Sequence, residues 1–472
     1  MIDLILDYSE LIKIYLWGPW TMVFFAFIGV YLTFRSGFFQ VRRCRFIARN
    51  TIGRIFVSDV EETEEKMTPF QAAATSLAGT VGMGNIAGVA TALSVGGPGA
   101  IFWMWVLAFF GMMTKTVEIT LGVHYRDIDD EGKPHGGPMY YITKGLGWVT
   151  LAKLYSIGTL IATALSTTLL QSHTVGRAFL TSYDLNPYLT TSLMAVVTGT
   201  VVIGGFKRIG RFSERIVPLM SVLYIFGGLF ILLMNYTSIP GVFRMIFAYA
   251  FSPAPMVGGF AGAAVAAAIQ NGMSRGLLSN EAGQGTAAMA HATADTPHPF
   301  KQGMWGAFEV FIDTIIICTI TSFVILSTGV FSGTESGVEL VITAFSSAFS
   351  PGIAGALISF SILFFCLSTQ IGFFVYYETA IVHLFGKNAM NFCKWLYLLP
   401  GVIFAGVANV DKLWIFADIS VGVTCIPNLI AVLALSGVFF TLMRDYLTGT
   451  NEFTTEASDR ANKYVRSAMD ME

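Results

Sequence analysis

Apolar runs of about twenty residues alternate with short charged segments along this chain, and that spacing constrains the fold more than any motif does. A helix needs about 20 apolar residues to cross the hydrocarbon core of a bilayer, where no water is present to satisfy an open backbone. About eleven runs qualify, near 18–35, 68–95, 99–123, 152–181, 187–204, 214–235, 255–282, 304–328, 352–385, 393–409 and 412–443. Composition agrees, since 12% of the 472 residues are charged against about 25% in a soluble domain. The sequence therefore predicts an all-α, multi-pass protein of the cell membrane, with the lipid bilayer as its surroundings. A net charge of −2 gives no basis for a nucleic-acid partner. The five cysteines are widely spaced, with no CxxC pair, so neither a zinc site nor a disulfide framework is expected. The first seventeen residues lack the basic n-region of a signal peptide. Their apolar residues recur at helical spacing, which predicts a helix lying in the membrane interface.

Orientation follows from the basic residues. Arg42, Arg43, Arg45 and Arg49, then Lys207, Arg208 and Arg211, then Arg444, Arg460, Lys463 and Arg466 all fall on one side if the spans alternate. The opposite side holds Lys13, Arg177, Arg244 and Lys412. This bias places the N-terminus outside and the C-terminus in the cytoplasm. Eleven spans divide into one extra helix and two sets of five with opposed topology, a layout shared by many secondary transporters. The expected organisation is 1–67 for the interfacial helix, extra span and basic loop, 68–235 and 236–443 for the two five-helix repeats, and 444–472 for a cytoplasmic tail.

Each expected repeat opens on a glycine-interrupted helix: GTVGMGN at 79–85 and QNGMSRG at 270–276. Irregular backbone at membrane depth survives only where it lines a cavity or contacts other protein. Unwinding frees N–H groups that attract a carboxylate and carbonyls that coordinate a small cation. Alone, the GNIAG of Gly84 and Gly88 reads as a helix-packing motif. Two interruptions at matching places in opposed halves favour a ligand site at the bilayer midplane instead.

Ionisable residues inside spans are functional candidates by default. Lys115 and Glu118 stand at i and i+3, a spacing that predicts a local ion pair. Asp313, Glu378 and Asp418 read equally as ion-pathway residues or as satisfied structural carboxylates. Ser368 and Thr369 could back-bond to their own helix or, if they face the first interruption, supply oxygen to a hard cation. GMSRG at 272–276 matches the G-x-S-x-G nucleophile elbow, but that elbow requires a preceding strand, and an alanine-rich helix precedes it here. His173 reads as a buried or pore-lining residue without metal-ligand spacing.

Three long stretches, GTVGMGNIAGVATALSVGGPGAIFWMW at 79–105, GGPMYYI at 136–142 and RGLLSNEAGQGTAAMAHA at 275–292, resemble the alanine or glycine:cation symporter family. The resemblance runs over nearly the whole chain. It implies the five-plus-five inverted-repeat fold of the neurotransmitter:sodium symporters, with two broken helices, sodium as coupling ion, no organic cofactor, and a small amino acid as substrate. Carried over by motif, one sodium lies near the carbonyls of Ala78 and Val81 with Ser368 and Thr369. Thr80 and Asn85 correspond to ligands of a second sodium. The substrate carboxylate is expected on the amides around Gly82, Met83 and Gly84, beside Gly79 and Thr80, and the ammonium on carbonyls from Ile269 and Gln270 to Gly272. Met273, Gln171 and Phe373 complete the expected pocket. Phe373 stands where the family usually has tryptophan, Gln270 where it has arginine, and Gln284 where it has leucine or methionine; the first of these widens the pocket. The expectation is a monomeric sodium-coupled symporter of a small neutral amino acid, and not an enzyme. The alternative is a proton-coupled carrier with Asp313 or Glu378 as the proton site.

Overall fold

The computed structural model describes residues 12, 16–55, 66–251, 261–331, 337–405 and 410–469, which are helical almost throughout. The expected interfacial helix over 1–17, part of the basic loop, the start of the seventh apolar run and the end of the tenth lie largely or wholly outside those residues. Among the described residues, five helices are long and apolar enough to cross a bilayer: Gly99–His124, Val149–Tyr183, Gly205–Met234, Pro299–Ser327 and Pro351–Phe385. Two more spans are bent pairs, Pro69–Thr80 with Gly84–Gly96 at 47° and Asp418–Ala434 with Ser436–Thr448 at 61°. Trp20–Arg35, Pro187–Val202 and Gly337–Ser346 are shorter apolar helices. The run near 412–443, uniform in hydropathy, thus bends at Leu435. The run near 393–409 divides into Lys387–Leu396 and Leu399–Ile403.

The first broken span starts on a reciprocal cap. The Gln71 amide donates to Thr68 Oγ1 and the Thr68 amide to Gln71 Oε1, both at 3.2 Å, with Pro69 at the first helical position. This arrangement satisfies two of the orphan donors of a helix N-terminus. The helix stops at Thr80 because Val81 turns extended (φ −76°, ψ 92°), and a π-helical turn over Gly84–Gly88 restarts it.

The second broken span departs from expectation. Ala261–Asn280 is a continuous helix that passes straight through QNGMSRG. The interruption falls later, at Glu281–Thr286, before a short helix over Ala287–Ala292. Glu281, Gly283 and Gly285 there have φ of +58°, +110° and +76°. Gly272 and Gly276 serve packing instead. A Cβ on Gly272 would lie 2.3 Å from the Ala100 carbonyl oxygen, and one on Gly276 would lie 2.8 Å from Leu107. Small residues thus let Ala261–Asn280 lie directly on Gly99–His124, a close approach typical of membrane helices.

The two broken spans run in opposite directions. Met67, just before the first, pairs with Ala294, just after the second: the Met67 amide donates to the Thr293 carbonyl at 3.0 Å and the Asp295 amide to the Met67 carbonyl at 2.8 Å. Their breaks meet in the middle, where a Cβ on Gly84 would stand 3.3 Å from the Ser279 Cα. Between Gly99–His124 and Pro138–Leu146 a two-residue hairpin pairs Asp127 with His135.

Gly272→Ala is expected to destabilise the protein by about 1–3 kcal/mol, the range for overpacking against a rigid neighbour, read as a lower unfolding temperature of the detergent-solubilised protein. Gly352→Ala, where an added Cβ meets nothing within 4 Å, should leave that temperature unchanged or raise it.

Candidate functional site

The second break leaves backbone groups without helical partners at membrane depth, and surrounding helices supply them. Lys115 Nζ donates to the Asn280 carbonyl at 2.9 Å. The Gly283 amide donates to Glu118 Oε1 at 2.9 Å, and the Gly283 carbonyl accepts from Asn428 Nδ2 at 2.8 Å. Tyr155 donates to the Gln284 carbonyl at 2.7 Å, and Gln284 Nε2 returns to the Leu277 carbonyl at 3.0 Å. Asn428 also donates to Glu118 Oε1 and accepts from the Tyr141 hydroxyl. Lys115 and Glu118 are therefore not paired with one another, as their spacing predicted. Lys115 binds Glu309 at 3.1 Å, and Glu118 serves the break.

The first break is held by side chains from three helical spans, its own included. Asn85 Oδ1 accepts from the Gly82 amide at 2.9 Å, which folds the unwound turn back on itself. Asn85 Nδ2 donates to Asp313 Oδ1 at 2.6 Å and to Ser279 Oγ at 2.9 Å. Ser279 and Thr314 in turn donate to Asp313 Oδ2 at 2.6 and 2.8 Å. Asp313 reaches this position from a π-helical stretch, Phe311–Cys318, a distortion frequent at functional sites. Both breaks and the third distortion thus share one buried polar cluster.

A buried cavity of about 40 Å3 lies between the breaks. Gly79, Thr80, Gly82, Met83 and Gly84 from the first break form one wall, with Gln171, Thr369 and Phe373 beside them. The Met83 amide points at Gln171 Oε1, 3.4 Å away, and a Cβ on Gly82 would stand 2.4 Å from Thr369 Oγ1. Thr369 Oγ1 lies 3.5 Å from the Val81 carbonyl oxygen and also donates to Phe365 O at 2.8 Å. Ser368 turns elsewhere, donating to Phe365 O at 2.9 Å beside Met220. Ala78, Val81 and Asn85 are buried behind the wall. Towards the end marked by Met67 and Ala294 the cavity is shut. Phe373 packs on Tyr376 with ring centroids 5.0 Å apart, and a Cβ on Gly372 would meet the Gly79 nitrogen at 2.7 Å.

The cavity does not include Ile269, Gln270, Gly272 or Met273, because the helix carrying them is unbroken and its glycines face Gly99–His124. Met273 lines a separate apolar cavity instead. Glu281 and Gln284 of the true second break, with Leu278 before it, take that place in the wall, joined by Ser420 and by Ala162 and Thr167 of another π-helical stretch. Sequence reasoning passed over Glu281. The signal was present in NEAGQGT, whose Gly-x-Gly offers two positive-φ positions in succession, whereas the glycines of QNGMSRG are four apart and match one helix face.

The remaining intramembrane residues have structural partners. Arg275 binds Asp418 through both guanidinium arms at 3.0 and 3.3 Å, and Ser274 Oγ donates to the same carboxylate at 3.2 Å. Ser274 thus sits within a continuous helix, not on a strand-to-helix elbow. His291 contacts Glu309 at 2.6 Å and Gln302 at 2.8 Å. Glu378 lies towards Lys133 and His135 and away from the cavity. His173 is buried on Thr168–Tyr183.

Two antiparallel broken helices, meeting at a buried cavity inside a helical membrane bundle, define a secondary-transporter architecture. The solved structure of MhsT in complex with L-phenylalanine shares the fold, with a TM-score of 0.51 at 14% identity over 79% of this chain and 99% of that one. The family model for the sodium:alanine symporter family matches residues 3–460, and the chain belongs to that family, whose members are secondary transporters and not enzymes. It is 38% identical to the sodium/alanine symporter AgcS of Methanococcus maripaludis over 90% of this chain and 93% of that one. It is also 38% identical to the probable sodium/glutamine symporter GlnT of Bacillus subtilis, over 91% and 88%.

Removing one partner of a buried ion pair leaves an uncompensated charge worth about 3–5 kcal/mol. Arg275→Met is therefore expected to lower stability by that amount, and Arg275→Met with Asp418→Leu to recover most of it, in unfolding of the detergent-solubilised protein.

Proposed function

We propose that this protein couples an inward sodium gradient to uptake of a small neutral amino acid of the alanine or glycine class by alternating access. In this reading it is a monomer with its N-terminus outside and its C-terminus in the cytoplasm. The repeats 68–235 and 236–443 move against one another around the cavity. The observation that carries the reading is the cavity itself, walled by residues of both breaks. Its volume of about 40 Å3 admits on the order of three water molecules at ~10–15 Å3 each, room suited to a small zwitterion and not to an oligopeptide.

The substrate carboxylate takes the amides of Met83 and Gly84, displacing the Gln171 oxygen from its long contact with Met83, while the Gly82 amide stays on Asn85. A first sodium sits where Thr369 Oγ1 faces the Val81 carbonyl, with Ala78 behind and Ser368 joining after a rotamer change. Hard cations favour such oxygen sets. Asn85 and Thr80 flank the second cation position, and the Asp313 carboxylate beside Asn85 supplies negative charge there. Because Asp313 has no basic partner within ion-pair distance among the described residues, proton coupling through Asp313 is the second reading. AgcS and GlnT, named as sodium symporters of alanine and of glutamine, support sodium as the driving ion and leave the side-chain size open.

The test is uptake of labelled L-alanine and other amino acids into proteoliposomes under an inward sodium gradient, a matched potassium gradient, or a proton gradient. Accumulation with sodium alone supports the proposal; accumulation with protons alone moves the coupling site to Asp313. Asn85→Ala and Thr369→Ala are each expected to raise the sodium concentration for half-maximal uptake by about tenfold, and wild-type sodium dependence in both would refute the ion-site assignment.

Phe373→Trp fills part of the cavity and is expected to disfavour glutamine relative to alanine by about tenfold, within the ~1–3 kcal/mol that a pocket of this kind discriminates. Uptake competition between the two amino acids reads that ratio.

A further inference from the structure

Among the described residues, Glu281 is the one ionisable side chain in the cavity wall. It is 2% exposed, and its backbone sits at φ +58°, in the left-handed region that a residue with a Cβ seldom occupies. Such outliers persist where surrounding structure holds them, often at ligand sites. Here the hold is visible: the Glu281 amide closes the helix on the Leu277 carbonyl at 2.9 Å, and Thr286 Oγ1 donates to Glu281 Oε2 at 2.7 Å. A carboxylate offers about four lone-pair positions, so one hydroxyl leaves acceptor capacity towards the cavity. Lys115 is committed to Glu309 and to the Asn280 carbonyl. No Lys or Arg among the described residues lies within ion-pair distance of Glu281. The opposite wall is the amide-bearing turn of the first break, which suits an anion. The cavity is therefore polar in one direction, with donors on one break and a carboxylate on the other.

We propose that Glu281 is the contact that receives the substrate's ammonium group and so makes the transporter select 2-amino acids over 2-hydroxy acids. The inference rests on the reading that an amino acid fills this cavity. A zwitterion lies with its carboxylate on the Met83 and Gly84 amides and its ammonium on Glu281. A 2-hydroxy acid offers no cation, so its carboxylate enters a wall already negative and is repelled. L-Alanine and L-lactate differ in this one group and are nearly equal in size.

The experiment measures L-lactate as an inhibitor of sodium-driven uptake of labelled L-alanine into proteoliposomes. Wild-type protein should ignore L-lactate at hundredfold excess. Glu281→Gln should raise the half-saturating L-alanine concentration by at least about thirtyfold and bring L-lactate to within about tenfold of L-alanine. Glu281→Asp, which keeps the charge, should keep the preference. Where Glu281→Gln transports too slowly to follow, stabilisation of the detergent-solubilised variant by each compound replaces uptake, with stabilisation by sodium showing that it is folded. A Glu281→Gln variant with the wild-type preference for L-alanine overturns the proposal. Wild-type protein inhibited equally by L-lactate and unlabelled L-alanine overturns it without any variant. Wild-type protein that accumulates no neutral amino acid with sodium overturns the transport reading itself, an outcome distinct from the others.

Discussion

The structure depends on satisfying broken backbone where no water can do so. An unpaired amide or carbonyl buried in an apolar medium costs about 1–3 kcal/mol or more, and the turn over Glu281–Thr286 presents several of them. Lys115, Glu118, Tyr155 and Asn428 answer these from three other helices. Each of those residues is polar inside an apolar span, which is costly in itself. Their presence follows from the break, and the break follows from the need for a ligand-facing backbone at the midplane. The first break shows the same dependence in reverse: Asn85, from within the span, caps the Gly82 amide and anchors it to Asp313.

Charge balance connects these supports to transport. Glu118, Glu281, Glu309 and Asp313 are all buried near the breaks, and Lys115 and His291 both serve Glu309. Glu118, Glu281 and Asp313 have no Lys or Arg partner within ion-pair distance among the described residues. An uncompensated buried carboxylate costs several kcal/mol, so this centre is built to take up positive charge, whether as a metal cation, a ligand ammonium or a proton. On the proposed reading, a cation and a zwitterion entering together would relieve one another's electrostatic cost, which is the physical content of coupling. Reciprocity follows: whatever factor sodium adds to substrate affinity, substrate adds to sodium affinity.

Much of this was legible in the sequence, and the failures are specific. Hydropathy located the long spans because crossing a bilayer demands length and apolarity together. GTVGMGN announced its break because its glycines and asparagine crowd within seven residues, too dense for one packing face. QNGMSRG misled because glycine has two uses in membrane helices, unwinding and close approach, and local spacing alone separates them poorly. Gly272 and Gly276, one turn apart, lie on the face that meets Ala100 and Leu107; Gly283 and Gly285, two apart, cannot share a helix face and belong to a turn. Lys115 and Glu118 misled for a related reason, since i,i+3 neighbours on a surface helix often pair, but in a bundle each is claimed by a partner more than 150 residues away. Tertiary demand overrode local spacing in both cases.

The placement of the second break also changes how the ligand would be held. A break at QNGMSRG would have offered the ammonium group backbone carbonyls only, partial charges indifferent to whether a hydroxyl or an ammonium approaches. A break at NEAGQGT instead brings the Glu281 carboxyl group to the wall, and carries Glu118 and Asn428 behind it as supports. The cavity then discriminates by charge where its size could not, since a hydroxyl and an ammonium occupy nearly the same volume. Buried groups that lose their proper partner impose a larger penalty on the wrong ligand than any misfit of shape. On the proposal that Glu281 receives the ammonium, selectivity for the zwitterion would be set by the same unwound turn whose free backbone the surrounding helices work to satisfy.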